Sequence, residues 1–182
     1  AVVAQWTGKE QVHANCVVPI LVSSEQGHLK STFCKGLLHP CLHRYYTEKF
    51  SLTSQGDAER KLAEMALINL AEFDRYSLVQ MPQLKNLMQL STLNLRKPHQ
   101  KSYRLLPRIA SFIGTSNRMD LLTDPSGSRR YICIEVKQAI NLEGIEHSQI
   151  YAQLKAELMA DRRYFFNKEE QQQIQQHNLS FY

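Results

Sequence analysis

The stretch "SSEQGHLKSTF", Ser23–Phe33, joins an apolar run, "CVVPILV", to the apolar-rich "FCKGLL". A phosphate-binding loop follows a buried strand and opens a helix. It works through backbone amides at the helix start, a lysine on the β- and γ-phosphates and a hydroxyl on Mg2+. Gln26, Gly27, His28, Leu29, Lys30, Ser31 and Thr32 supply these groups in the right order. The full pattern G-x-x-x-x-G-K-[ST] would place glycine where this chain has Ser24 and Leu29. Glycine there permits positive φ and close approach of backbone to phosphate; a left-handed leucine costs about 1 kcal/mol or more. By its own letters the stretch is either a modified phosphate loop or a plain strand–turn–helix connection.

Around it lie further apolar segments that read as buried strands. They are "CVVPILVS" (Cys16–Ser23), "MALINLA" (Met65–Ala71), "RIASFIGTS" (Arg108–Ser116) and "RYICIEV" (Arg130–Val136), with "YYTEKFSL" (Tyr45–Leu52) a weaker fifth. Near-continuous apolar character is expected of a parallel sheet covered on both faces. Helical stretches intervene at Lys30–Leu38, Ala58–Glu64 and Met81–Leu90. The alternation predicts a three-layer α/β domain spanning 1–182, with a helical C-terminal segment over 147–182. There, "SQIYAQLKAELMA" has a cap at Ser148 and a stripe of Ile150, Leu154 and Leu158 that reads as core packing. "KEEQQQIQQHN" reads as a polar helix.

Two downstream stretches bear on the loop. A nucleotide hydrolase of this class carries a second apolar strand ending in an acidic pair, for Mg2+ and for the attacking water. "LINLAEFD" (Leu67–Asp74) ends at Glu72, with Asp74 two beyond, but the metal-side aspartate would fall at Ala71. Glu72 can act as the base, and Ser31 and Asp74 are the candidate metal-side groups. The alternative is a strand with a solvated acidic end. In "SFIGTSNRMDLLTDPSGSRRYICIEV" (Ser111–Val136), Asn117 follows a strand at the edge where open α/β sheets bind ligands. An asparagine there can orient a water against a γ-phosphate. The turn-rich Asp124–Gly127 then presents Arg129 and Arg130, as phosphate sensors, as a finger reaching a neighbouring subunit, or as partners of Asp120 or Asp124.

The net charge of +5 and pI of about 9.0 permit an anionic partner without requiring one. The charge is uneven: "RKPHQKSYRLLPR" gathers Arg96, Lys97, His99, Lys101, Arg104 and Arg108. No apolar run approaches the ~20 residues of a membrane span, and no secretory signal opens the chain. The missing initiator Met suggests a piece of a longer protein. Cys16, Cys34, Cys41 and Cys133 form no Cys-x-x-Cys pair, so a reducing cytoplasm is expected. "CKGLLHPCLH" holds Cys34, His39, Cys41 and His43, but at a spacing that fits no common zinc site.

Taken together, "EQGHLKSTF", "LINLAEFD", "LKNLMQ", "RIASFIGTSN" and "LLTDPSGSRRYICIEV" closely resemble the virulence-associated protein E family of P-loop ATPases, from about Trp6 to Tyr182. The branch they look like occurs in mobile elements of Bacteroides-type bacteria, and "TSN…DPSGSRR" is the most specific part. Family proteins resemble superfamily-3 helicases, with the ATPase module often fused behind a primase-like region. The resemblance implies a P-loop three-layer sandwich with a mainly parallel sheet of about five strands. It also implies ATP and Mg2+ as ligands and a role in replicating or mobilising DNA. Lys30, Ser31, Glu72, Asn117 and one of Arg129 and Arg130 are the matching positions, and a homo-oligomer assembled with DNA or an upstream region is implied. The family's acidic motif reads Asp-Glu, so Ala71 is a departure. It leaves open a second reading, a DNA-binding or assembly module that keeps the fold without turnover. In superfamily-3 helicases a β-hairpin between the acidic motif and the Asn-bearing strand puts its tip in the DNA channel. "STLNLRKPHQKSYRLLPR" (Ser91–Arg108) occupies that interval. Its tip residues Lys97, His99 and Lys101 would meet the phosphates of single-stranded DNA, unless the segment is a solvated basic loop.

Overall fold

Five parallel strands form the central sheet, with the fully buried apolar runs at its centre and partly exposed strands at its two edges. The computed structural model describes residues 1–9, 15–96, 103–123 and 129–182. After a short helix, α1 (Val2–Trp6), come β1 (Val18–Val22), α2 (Lys30–Gly36), a 3-10 turn over Pro40–Tyr45 and β2 (Tyr46–Thr47). Next are α3 (Gln55–Glu64), β3 (Leu67–Leu70), α4 (Gln80–Gln89), β4 (Thr92–Arg96), β5 (Tyr103–Pro107) and β6 (Ser111–Ser116). β7 (Tyr131–Glu135), α5 (His147–Met159) and α6 (Lys168–His177) complete the described elements.

The sheet runs β2-β3-β6-β1-β7, every pairing parallel, with Ile20 opposite Gly114 and Cys133, and Asn69 opposite Ile113. The chain leaves β1 for the far edge, returns through β3 and β6, and crosses β1 to reach β7. All five strands therefore point their C-terminal ends at one edge, where open α/β sheets hold ligands. The glycine in β6 is there for space, since a Cβ on Gly114 would stand 3.3 Å from Ile20 Cγ1.

One face of the sheet buries Val18, Ile20, Ile68, Leu70 and Phe112 against Leu62 of α3 and Leu84 and Met88 of α4. The other buries Leu21, Leu67 and Ile113 against Cys34 of α2 and Leu38. The edge of β7 is closed by the C-terminal segment: Asn178 Nδ2 donates to the Tyr131 carbonyl at 2.7 Å, and a His177 ring nitrogen lies 2.8 Å from that of Cys133. Covering an exposed sheet edge in this way blocks pairing with other chains. β4 and β5 stand apart as a two-stranded antiparallel sheet, Leu93 opposite Leu106 and Asn94 opposite Leu105.

Three expectations change. α5 starts at His147 with Glu146 as its N-cap residue, so Ser148 lies inside the helix rather than capping it. α5 has no buried residue: Ile150 is 45% exposed, and Leu154 and Leu158 are only half-buried. The stripe is a partly covered surface, because the helix packs sideways on α1 rather than down on the sheet. Arg108 is not part of a basic surface, being only 1% exposed. Its guanidinium donates to the carbonyls of Asn15 and Ala110 at 2.6 and 2.9 Å, and to those of Met88 and Leu90. Burial pushes its pKa down to about 10. α6 is a polar helix with a complete capping box between Asn167 and Glu170.

Candidate functional site

The segment between β1 and α2 lies at the C-terminal edge of the sheet. Gly27 has φ +87°, and Leu29 is left-handed at φ 61°, ψ 23° immediately before α2. Leucine thus takes the conformation for which the general loop pattern uses glycine. Such strain persists where surrounding structure imposes it, and it concentrates at functional positions. His28 secures the loop from the side: its Nδ1 lies 2.9 Å from Ser23 Oγ and 3.1 Å from the Val136 carbonyl. Gln26, Ser31 and Thr32 are exposed.

Lys30 is the buried charge of this loop, at 8% exposure. Its Nζ donates to Asn117 Oδ1 at 2.9 Å, with the Ser23 and Glu25 carbonyls each at 3.5 Å. Burial lowers its pKa, since desolvation penalises the ammonium. Asn117 comes from the end of β6, the strand beside β1, so the sheet order itself brings the two together.

β3 ends in a tight bend. Glu72 is left-handed at φ 53°, ψ 52°, and its carboxylate pairs with Arg75 at 2.6 Å. Asp74 accepts from Ser116 Oγ at 2.8 Å, which ties the end of β3 to the end of β6. Arg118 is taken up by Asp120 at 2.6 Å, holding that carboxylate below its ordinary range. The loop residues Gln26–Thr32, Glu72, Asp74 and Asn117 therefore share one edge of the sheet.

Arg129 and Arg130 do not join them. They precede β7, whose Tyr131 pairs with Val18 at the start of β1, so both lie at the opposite edge from Lys30. Asp120 is engaged by Arg118, and Arg130 Nε is buried without a hydrogen-bond partner among the described residues. Lys97, His99 and Lys101 lie outside the described residues, as do Asp124–Gly127.

A polar group missing from the sequence reading sits beside the acidic strand. Asn69 of β3 is fully buried, and its Nδ2 donates to Tyr46 Oη at 3.0 Å and Glu48 Oε1 at 3.2 Å. Tyr46 donates to the same Glu48 oxygen at 2.7 Å. The tyrosine pKa is raised, by burial first and by that hydrogen bond second. The one signal in the sequence is an asparagine in the middle of the apolar "LINLA".

Among the described residues no group of three or more His, Cys, Asp and Glu side chains could hold a metal by itself. Cys34 is buried, its thiol pushed up to about 12, while Cys41 is exposed beside His39 Nδ1 at 3.0 Å. The Ser31 hydroxyl and the Asp74 carboxylate nevertheless suit Mg2+ bound with a nucleotide, because Mg2+ takes one or two carboxylates, a hydroxyl and phosphate oxygens, and keeps several waters.

Residues 12–182 match the virulence-associated protein E-like domain. The chain belongs to this family. No curated protein matches it. Solved structures with a similar fold include the apo structure of the NrS-1 C-terminal region (305–718), with a TM-score of 0.54 and 16% identity over 99% of this chain and 39% of that one. Two A-form apo structures of the same region give TM-scores of 0.51 and 0.53 at 18% identity. At these identities the likeness is one of fold, and this virulence-associated protein E-like domain spans about two fifths of the length of that region. Among its described residues no helix is long and apolar enough to cross a membrane.

Proposed function

We propose that this chain is an ATP-binding module of helicase type, acting in DNA replication or mobilisation of a mobile genetic element. The observation that carries the reading is Lys30, a buried ammonium at the start of α2 whose one short hydrogen bond runs to Asn117. In this arrangement Lys30 and the amides of Gln26–Ser31 bind the β- and γ-phosphates. Ser31 and Asp74 hold Mg2+, which neutralises charge on the phosphate oxygens. Asn117, released from Lys30, orients the attacking water, and Glu72 takes its proton. Family membership supports the reading, as does the gathering of the loop, Glu72, Asp74 and Asn117 at one sheet edge.

Arg129 or Arg130 serves the site of a second copy, so turnover needs a homo-oligomer. Lys97, His99 and Lys101 contact single-stranded DNA through its phosphates. A cytoplasmic location follows from these partners.

The test is thermal unfolding with millimolar ATP and Mg2+, which raises the melting temperature of the wild type and leaves Lys30→Ala unmoved. A wild type insensitive to ATP overturns the reading.

Ala71 favours a second reading, a DNA-binding or assembly module that keeps the fold without turnover. ATP binding with no hydrolysis, with or without single-stranded DNA, would select it.

A further inference from the structure

We infer that Glu48 is the carboxylate that serves the magnesium ion in place of the side chain missing at Ala71, positioned by Tyr46 and Asn69. This rests on the ATP–Mg2+ reading above and addresses its weakest residue.

Glu48 directly follows β2, so it stands at the same C-terminal sheet edge as the phosphate loop. The pairing of Thr47 with Ile68 sets it level with Asn69 on β3. Its Oε1 is fixed by two donors, Tyr46 Oη at 2.7 Å and Asn69 Nδ2 at 3.2 Å, although Glu48 is itself an exposed residue. A solvent-facing carboxylate gains little from such an arrangement unless its position matters.

Asn69 supplies the independent observation. It is fully buried, and its Oδ1 has no hydrogen-bond partner among the described residues. A buried orphan acceptor costs about 1–3 kcal/mol, and an apolar residue in this strand would avoid that cost. Turning the amide over would aim Oδ1 at the Glu48 carboxylate, so hydrogen bonding fixes the orientation. The strand thus spends a buried amide on holding the Glu48 carboxylate through Nδ2, and a carboxylate so fixed is the oxygen donor that a hard cation or its bound waters take.

The placement also fits. Leu67 and Asn69 alternate onto one face of β3, and Leu67 packs there with Cys34 of α2 and with Tyr46. Ser31 lies one helical turn before Cys34, on the same side of α2. Ala71 is two residues beyond Asn69, about 7 Å along the strand direction. Glu48 also stands one strand to the side, about 4.8 Å, so its offset from Ala71 is roughly 8–9 Å, and a glutamate there acts through metal-bound waters, of which Mg2+ keeps several.

The test is the Mg2+ concentration that gives half of the ATP-induced rise in melting temperature, with free Mn2+ followed by electron paramagnetic resonance as a second readout. Glu48→Gln is expected to raise the Mg2+ midpoint by about 10–100-fold, the range for altered metal-site partners. Adding Ala71→Asp to Glu48→Gln should restore it. A Glu48→Gln midpoint equal to wild type overturns the inference, even where the variant unfolds at lower temperature, because that pattern is a purely structural role. Failure of Ala71→Asp to rescue overturns it as well. Should Glu48→Gln not fold, Glu48→Asp decides instead: it keeps the charge but shortens the reach, so a raised midpoint supports the inference and an unchanged one refutes it. An ATP-insensitive wild type sinks the nucleotide reading itself and this inference with it, a result distinct from an unmoved midpoint.

Discussion

Lys30 and Asn117, 87 positions apart in the chain, are joined by a 2.9 Å hydrogen bond that links the start of α2 to the end of β6. The ammonium is nearly buried, and its other two acceptors are carbonyls at 3.5 Å. Removing Asn117 therefore leaves a desolvated charge poorly satisfied, at a cost of about 2 kcal/mol. Asn117→Ala is expected to lower the melting temperature of the unliganded protein by roughly 4–8 °C. In a double-mutant cycle with Lys30→Ala the double variant should lose less than the sum of the two single losses. Strict additivity would mean that the pair does not interact in solution.

Leu29 offers a cleaner test of backbone strain. At φ 61° and 44% exposure it carries a left-handed penalty with little burial to offset it. Leu29→Gly removes about 1 kcal/mol of strain, while the freer unfolded glycine chain takes back roughly 0.5–1 kcal/mol. The variant should melt at or above the wild-type temperature. Leu37, at φ −66° and 39% exposure, is the matched control. Leu37→Gly relieves nothing and should melt roughly 2–4 °C lower. Equal losses at both positions would remove the strain account.

Arg108 separates a structural charge from a DNA-binding one. Its guanidinium holds carbonyls from the segment before β1, the end of α4 and the approach to β6. Arg108→Met keeps the volume but orphans those oxygens, with an expected loss of about 1–3 kcal/mol for each carbonyl left without a partner. The midpoint of urea unfolding should fall accordingly, while single-stranded DNA affinity of the folded fraction stays put. Lys97→Ala with Lys101→Ala should do the reverse, weakening binding and flattening its salt dependence. A DNA defect in folded Arg108→Met would contradict its burial.

That residue also shows where the sequence stops being readable. β1, β3 and β6 stand out as apolar runs because both faces of a central strand are covered, and that demand is written locally; β7, at the edge, keeps an apolar run although Ile134 is 43% exposed. β2 is only two residues long and survives by pairing with β3, so its run carries little signal. Whether Arg108 is solvated or buried depends on carbonyls distant in sequence, and "RKPHQKSYRLLPR" contains no trace of them. The stripe of α5 misleads for the opposite reason: a helix needs the same spacing to half-cover a surface as to enter a core. In the site, the loop and Asn117 were legible because each follows an apolar strand. The Tyr46–Glu48–Asn69 group was not, because it exists only once β2 pairs with β3.

Arg129 and Arg130 yield a prediction about assembly. β1 separates them from the phosphate loop: Tyr131 is level with Val18, and the loop begins beyond Val22. Five strand residues span roughly 16 Å, more than an arginine side chain covers, so neither guanidinium can reach a nucleotide beside Lys30 of the same copy. If either acts in hydrolysis, it acts on a neighbour's nucleotide across a heterologous contact. Lys30→Ala and the double variant Arg129→Ala/Arg130→Ala should each be inactive alone. Mixed in equal amounts, they should regain activity, because in about one site in four an intact Lys30 faces an intact arginine pair. Mixtures no more active than the separate variants, under conditions where the wild type hydrolyses ATP, would exclude arginine action between copies.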